Sequence, residues 1–163
     1  MISAFHDYSA CPFCNESIRK ALFYETPHFM AIYNIAPILP GHSLIIPRMH
    51  YISLMALTDG EMIEFFLAAR AALRILMKAF HTEAFDWSIQ EKPEAGQTLE
   101  HLHLHIVPRL KGDLPQPGEW YPLIHQSDQT MIDSFNRPHL NQDNLTQITT
   151  ELKLIAKSME KSP

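Results

Sequence analysis

Between Gln97 and Arg109 the chain reads Gln-Thr-Leu-Glu-His-Leu-His-Leu-His-Ile-Val-Pro-Arg, and no other stretch restricts the fold as much. Histidines at 101, 103 and 105 alternate with Leu102 and Leu104, the pattern of a strand with one polar and one apolar face. All three imidazoles then point the same way, roughly 6.5–7 Å apart along the strand, and the leucines face a core. A single strand histidine is usually a surface or hydrogen-bonded residue. Three on one face would repel one another if protonated together, and each replaces a residue such as Val that stabilises a strand better. Packing does not account for that choice. Two chemistries do: metal ligation, or nucleophilic and acid/base work on an anion.

With 163 residues the chain suffices for one well-buried domain and is short for two. Its 46% hydrophobic and 19% charged content is that of a folded protein rather than a disordered one. A net charge of −5 with neutral histidines provides no global basic field, so neither nucleic acid nor an acidic membrane is an expected partner. An anionic ligand must be held by a local site. Apolar runs are broken by charge before about 18 residues, which predicts no spanning helix. The first residues, Met-Ile-Ser-Ala-Phe-His-Asp-Tyr, carry neither the basic nor the apolar region of a signal peptide, so the expected location is cytoplasmic.

Ala21 to Asn34 holds two short strand-like runs around Thr26-Pro27, an expected antiparallel pair. Pro40-Gly41-His42 is a turn leading into Ser43–Pro47, a β-branched strand closed by proline. Thr58-Asp-Gly-Glu61 is a capping box. Met62, Phe66, Ala69, Leu73, Leu76 or Met77, and Phe80 follow at helical spacing, predicting a helix of about six turns whose stripe packs on a sheet. Ala84–Gln90 reads as a further strand, and 91–96 as the loop into the histidine stretch. Short turns between strands predict an α+β fold with a mostly antiparallel sheet, one long central helix and a C-terminal helix. The expected division is a core over 11–110, an irregular loop over 111–142, and a helix over 143–161 marked by Leu145, Ile148, Leu152, Ile155 and Met159.

The run His101 to Val107 (His, apolar, His, apolar, His, two apolars) resembles the motif of the histidine triad (HIT) superfamily of nucleotide hydrolases and transferases. More narrowly, Gln90–Arg109 together with Asn34–His42 is similar to the Fhit branch, whose substrate is a diadenosine polyphosphate. The resemblance implies that His103 is the nucleophile attacking the α-phosphorus, with His105 and His42 contacting the α-phosphate and His101 completing the catalytic histidines. It implies that Gln90 positions the phosphate chain near the scissile bridge, and that Gln97 and Thr98 make further phosphate contacts. Asn34 matches the ribose-binding position, and Ile32 and Leu44 the adenine pocket. The family's homodimer, formed by the long helix and the adjacent strand, is implied as well.

Cys11-Pro-Phe-Cys14 departs from the Fhit pattern. A spacing of two suits a metal hook or a redox pair better than a structural staple. The pair resembles the CxxC of bacterial HIT proteins that hold a structural zinc, and the remaining ligands implied are His50 and His101. Two thiolates and two imidazoles make a closed, structural shell. A divalent cation such as magnesium can also accompany the polyphosphate. Three readings compete with the Fhit-like hydrolase: a Hint-like enzyme acting on adenosine phosphoramidates or aminoacyl adenylates, a nucleotide-binding signalling module with incidental catalysis, and a triad that is itself a catalytic zinc site. His6, His28, His81, His125 and His139 read as solvated.

Overall fold

The computed structural model describes residues 11–125 and 137–160. His6 and positions 126–136 of the 111–142 stretch lie outside them. Five strands, β1 (Leu22–Glu25), β2 (Phe29–Tyr33), β3 (Ser43–Pro47), β4 (Ala84–Ser88) and β5 (Leu104–Arg109), form one sheet in the order β1-β2-β3-β5-β4. Every pairing is antiparallel. The long helix α1 (Asp59–Phe80) connects β3 to β4. A short helix α2 (Trp120–His125) lies in the stretch read from sequence as irregular, and α3 (Gln142–Glu160) follows. The α+β architecture is the one expected from the sequence.

The register explains how the site is built. Ile32 pairs with Leu44, Leu44 with His105, and Ser88 with His105, so one row of side chains crosses four strands on a single face. The alternate row, Ala31, Ile45 and Leu104, is at most 1% exposed and belongs to the core under the helices. Leu102, also 1% exposed, extends this apolar side, as the alternation predicts. The polar side carries the histidines.

The β5 ladder begins only at Leu104, so His101 and His103 precede the strand rather than lying within it. Proline is the cause. Continuing the register of β3 on β5 would set Pro47 opposite Leu102, and proline has no N–H to donate. The Leu102 amide bonds instead to the Tyr51 carbonyl at 2.6 Å, and the Pro47 carbonyl accepts from the His101 ring at 3.0 Å. The three rings nevertheless share a side, since Phe13 packs edge-on against both His101 and His103, and His103 against His105.

Thr58 and Glu61 close the capping box of α1 as expected. The buried stripe of α1 is rotated from the predicted one: Phe65 is fully buried, and Phe66 is 38% exposed. Ala68, Ala69 and Ala72 are small enough to bring the helix close to the sheet, which centres the contact on the Phe65 side. Leu145, Leu152 and Ala156 of α3 close the far edge of the core. Arg109, the last residue of the motif, serves as a clasp: it grips Asp113 with two bonds of 2.8 Å and Asp86 with a third of 2.8 Å.

Gly41 sits where the chain turns into β3, with φ of +87°. A Cβ there would lie 2.7 Å from Pro108 Cγ and 3.0 Å from the Phe80 ring. Gly41→Ala is expected to destabilise the fold by about 2–4 kcal/mol through backbone strain and overpacking. Gly60, in the first turn of α1, is the control, because a Cβ added there would meet nothing within 4 Å. Gly60→Ala should be neutral or stabilise by up to about 1 kcal/mol. Thermal denaturation of both variants checks the contrast.

Candidate active site

Hydrogen bonds fix the proton on each histidine. The Ile38 amide donates to His42 Nδ1 at 3.2 Å, so His42 carries its proton on Nε2 and donates to His105 Nδ1 at 2.9 Å. His105 therefore keeps its own proton on Nε2, as a donor for the site. His103 Nδ1 donates to the His101 carbonyl at 2.7 Å, which leaves a lone pair on Nε2. His101 Nε2 donates to the Pro47 carbonyl, so the Nδ1 lone pair turns toward the cysteines. One row thus offers a nucleophilic nitrogen beside an N–H donor.

Burial keeps His42, His101 and His105 neutral. His42 is pushed down to about 3 by burial, reinforced by the charges of Arg137 and His103. His105 lies well below the ordinary imidazole value for the same leading reason, with His103, His42 and Arg137 adding to it. His101 is lowered to about 4 by burial against the opposing Pro47 bond. Neutral rings are what the relay of single protons requires.

A pocket of about 260 Å³ opens over this row. Ile32, Leu44, Asn34, Thr98, His103 and His105 line it, so six of the residues singled out in the sequence meet in one cavity. Asn34 Oδ1 is held by the Ala36 amide at 2.9 Å, which turns the side-chain NH₂ outward. Gln90 is buried and donates to Ser88, whose backbone stands opposite His105. Gln97 is committed elsewhere: its oxygen accepts from the Lys92 amide at 2.7 Å and its nitrogen donates to the Leu99 carbonyl at 3.0 Å. To touch a phosphate it would have to leave both partners.

Cys11, Cys14, His50 and His101 converge, with one donor atom from each lying within 4.8 Å of all the others. The Cys11 Sγ–His101 Nδ1, Cys14 Sγ–His50 Nδ1 and Cys14 Sγ–His101 Nδ1 separations are 3.4, 3.3 and 3.6 Å. A tetrahedron with Zn–S of about 2.3 Å and Zn–N of about 2.05 Å has S–N edges of about 3.6 Å, so the donor set fits that ion. The Pro47 bond on the far side of His101 is the outer support a metal-ligating imidazole usually has. Burial, then the hydrogen bond and charge of Cys11, push the Cys14 thiol up to about 11; a divalent cation reverses that sign and takes both sulfurs as thiolates.

Phe13 and Arg137 are among the lining residues that the sequence reading did not single out. Phe13, between the cysteines, lines the pocket with centroids 5.5 Å from His101 and 5.7 Å from His103. Its position inside the hook was the available signal. Arg137 also lines the pocket, and no spacing rule points to a lone arginine in a loop.

The HIT domain pattern matches residues 15–112. This chain belongs to the HIT domain family. It is 36% identical over 111 residues to an asymmetrical bis(5'-nucleosyl)-tetraphosphatase of Schizosaccharomyces pombe, a match covering 68% of the chain and 61% of that protein. To a bis(5'-adenosyl)-triphosphatase of Dictyostelium discoideum it is 33% identical over 108 residues, covering 66% and 72%. The chain thus spans less than two thirds of the fission-yeast protein's length. A zinc-bound histidine triad family protein from Mycobacterium smegmatis shares the HIT fold, with a TM-score of 0.67, 22% identity, and 95% and 99% of the two chains covered. No helix among the described residues is long and apolar enough to cross a membrane.

Histidines held neutral in the fold but free to protonate when unfolded make stability depend on pH. Between the ordinary value of 6.5 and the lowered value of about 3 for His42, the unfolded chain binds the extra proton. Stability is therefore full above about pH 6.5 and falls on acidification by up to about 1.4 kcal/mol per pH unit per histidine. Denaturant unfolding at pH 7.5, 6 and 5 should show this loss, with a shallower slope in His42→Gln. A flat wild-type profile would mean that these rings titrate normally.

Proposed function

We propose that this HIT domain hydrolyses dinucleoside polyphosphates at the α-phosphorus through a covalent nucleotidyl group on His103. The observation carrying this reading is the proton relay from Ile38 through His42 to His105, beside a His103 ring whose Nδ1 is tied to a carbonyl. His103 Nε2 attacks the α-phosphorus, an N–P bond forms, and the bond to the bridging oxygen breaks, releasing the rest of the chain as its anion. Water then attacks the same phosphorus, the N–P bond breaks, and the nucleoside monophosphate departs with a proton lost to solvent. His105 Nε2–H donates to the non-bridging oxygens as charge develops there. Asn34 takes the ribose, Ile32 and Leu44 flank the base, Thr98 meets the phosphate, and Gln90 steadies the scissile bridge from beside Ser88. The names of the fission-yeast and Dictyostelium relatives support this substrate class.

We assign a structural zinc to Cys11, Cys14, His50 and His101, supported by the fit of the donor set and by the zinc-bound relative. The ion supplies cross-linking, holding the lead-in loop to the triad. A reducing, cytoplasmic setting suits the two free thiols. A homodimer is supported by the exposed apolar face of Ile63, Phe66 and Leu67 beside Trp87, on the outer strand of the sheet. The Trp87 Nε1 proton has no hydrogen-bond partner among the described residues.

Incubation with diadenosine triphosphate, diadenosine tetraphosphate and an adenosine phosphoramidate tests the reaction. Expected products are AMP and the complementary nucleotide at roughly 1 s⁻¹ or faster, with a loss of at least roughly 10³-fold in His103→Asn. Turnover of the phosphoramidate alone would instead establish the Hint-like chemistry. Replacing Cys11 and Cys14 by Ser is expected to abolish stoichiometric zinc and lower the melting temperature. Zinc retained in that variant, with activity dependent on it, would move the metal to the triad.

A further inference from the structure

The proposed substrate is a polyanion, yet the chain carries a net charge of −5. Burial keeps His42 and His105 uncharged, so they offer N–H dipoles rather than positive charge. Among the described residues lining the pocket, Arg137 is the single side chain with a permanent charge. It is half-buried in the wall that also holds His103, His105, Thr98 and Asn34. It stands on the histidine side of the cavity, since its field reaches both His42 and His105. The apolar wall, Phe13, Ile18, Ile32 and Leu44, is left to the base.

The backbone holds this position. Pro138 follows Arg137 directly, and the Leu140 amide donates to the Ile35 carbonyl at 2.9 Å, tying the segment to the loop just after Asn34. Leu140 packs on the core and α3 begins at Gln142. The guanidinium therefore projects from an anchored stretch.

Resting on the proposed hydrolysis, we infer that Arg137 is a substrate-binding residue whose guanidinium grips the phosphate oxygens beside His103 and His105. An arginine fork matches a phosphate bidentately and stays charged at any working pH. It supplies a fixed cation beside the buried His42–His105 pair. The C-terminal segment is thereby part of the nucleotide site and not only a cover for the sheet.

Calorimetric titration with AMP and with adenosine, on the wild type, Arg137→Gln and Arg137→Lys, tests this. AMP affinity should fall roughly 10- to 100-fold in Arg137→Gln, adenosine affinity should stay within about twofold, and Arg137→Lys, which keeps the charge but loses the fork, should recover only part of the loss. Unchanged AMP affinity in Arg137→Gln would overturn the assignment while leaving the hydrolase reading intact. Equal losses for AMP and adenosine, or failure of both variants to fold, would make Arg137 a structural residue and overturn it too. A wild type that binds neither ligand would remove the nucleotide reading itself, and this inference with it.

Discussion

The hydrogen bond from His101 Nε2 to the Pro47 carbonyl is the contact on which the rest of the site depends. It exists because proline cannot extend the β3–β5 ladder, so its carbonyl is left to accept from a side chain. With that ring fixed, its other nitrogen faces the two cysteines and its own carbonyl receives His103. Three consecutive polar positions of one stretch thus acquire three different partners: the two cysteines, a backbone carbonyl and a second histidine. A continuous ladder would have placed them in equivalent settings.

The electrostatic arrangement is economical in charge. Water is a better solvent than a protein interior for an imidazolium, so burying His42, His101 and His105 removes their charge and leaves directed hydrogen bonds. Those bonds are oriented by the backbone at both ends of the relay, Ile38 and His101. Proton positions at the site are consequently set by the fold rather than by solvent pH, over the range in which the rings stay neutral.

Much of this was legible in the sequence where a local rule coincides with a tertiary demand. The alternation at 101–105 placed Leu102 and Leu104 in the core and the histidines opposite, and the Thr58–Glu61 box marked the start of α1 correctly. CxxC with His50 pointed to the cluster that the fold assembles. Where two neighbours were equally apolar, periodicity could not choose: Phe65 rather than Phe66 became core because the small residues beside it set the helix against the sheet. At Gln97 the residue type leaves the choice of partner open, since an amide suited to a phosphate is equally suited to the loop amide and carbonyl it bonds here. Arg137 reaches the pocket through a bond between distant segments, which no pattern within either one records.

Phe13 lies between the two cysteines of the Cys11, Cys14, His50, His101 cluster and at the same time forms part of the pocket wall. The segment from 11 to 14 thus joins two tasks: its ends bring the cysteines to His101 and its middle lies against His101 and His103, so a change of side chain there is felt by the pocket wall and the histidine row together.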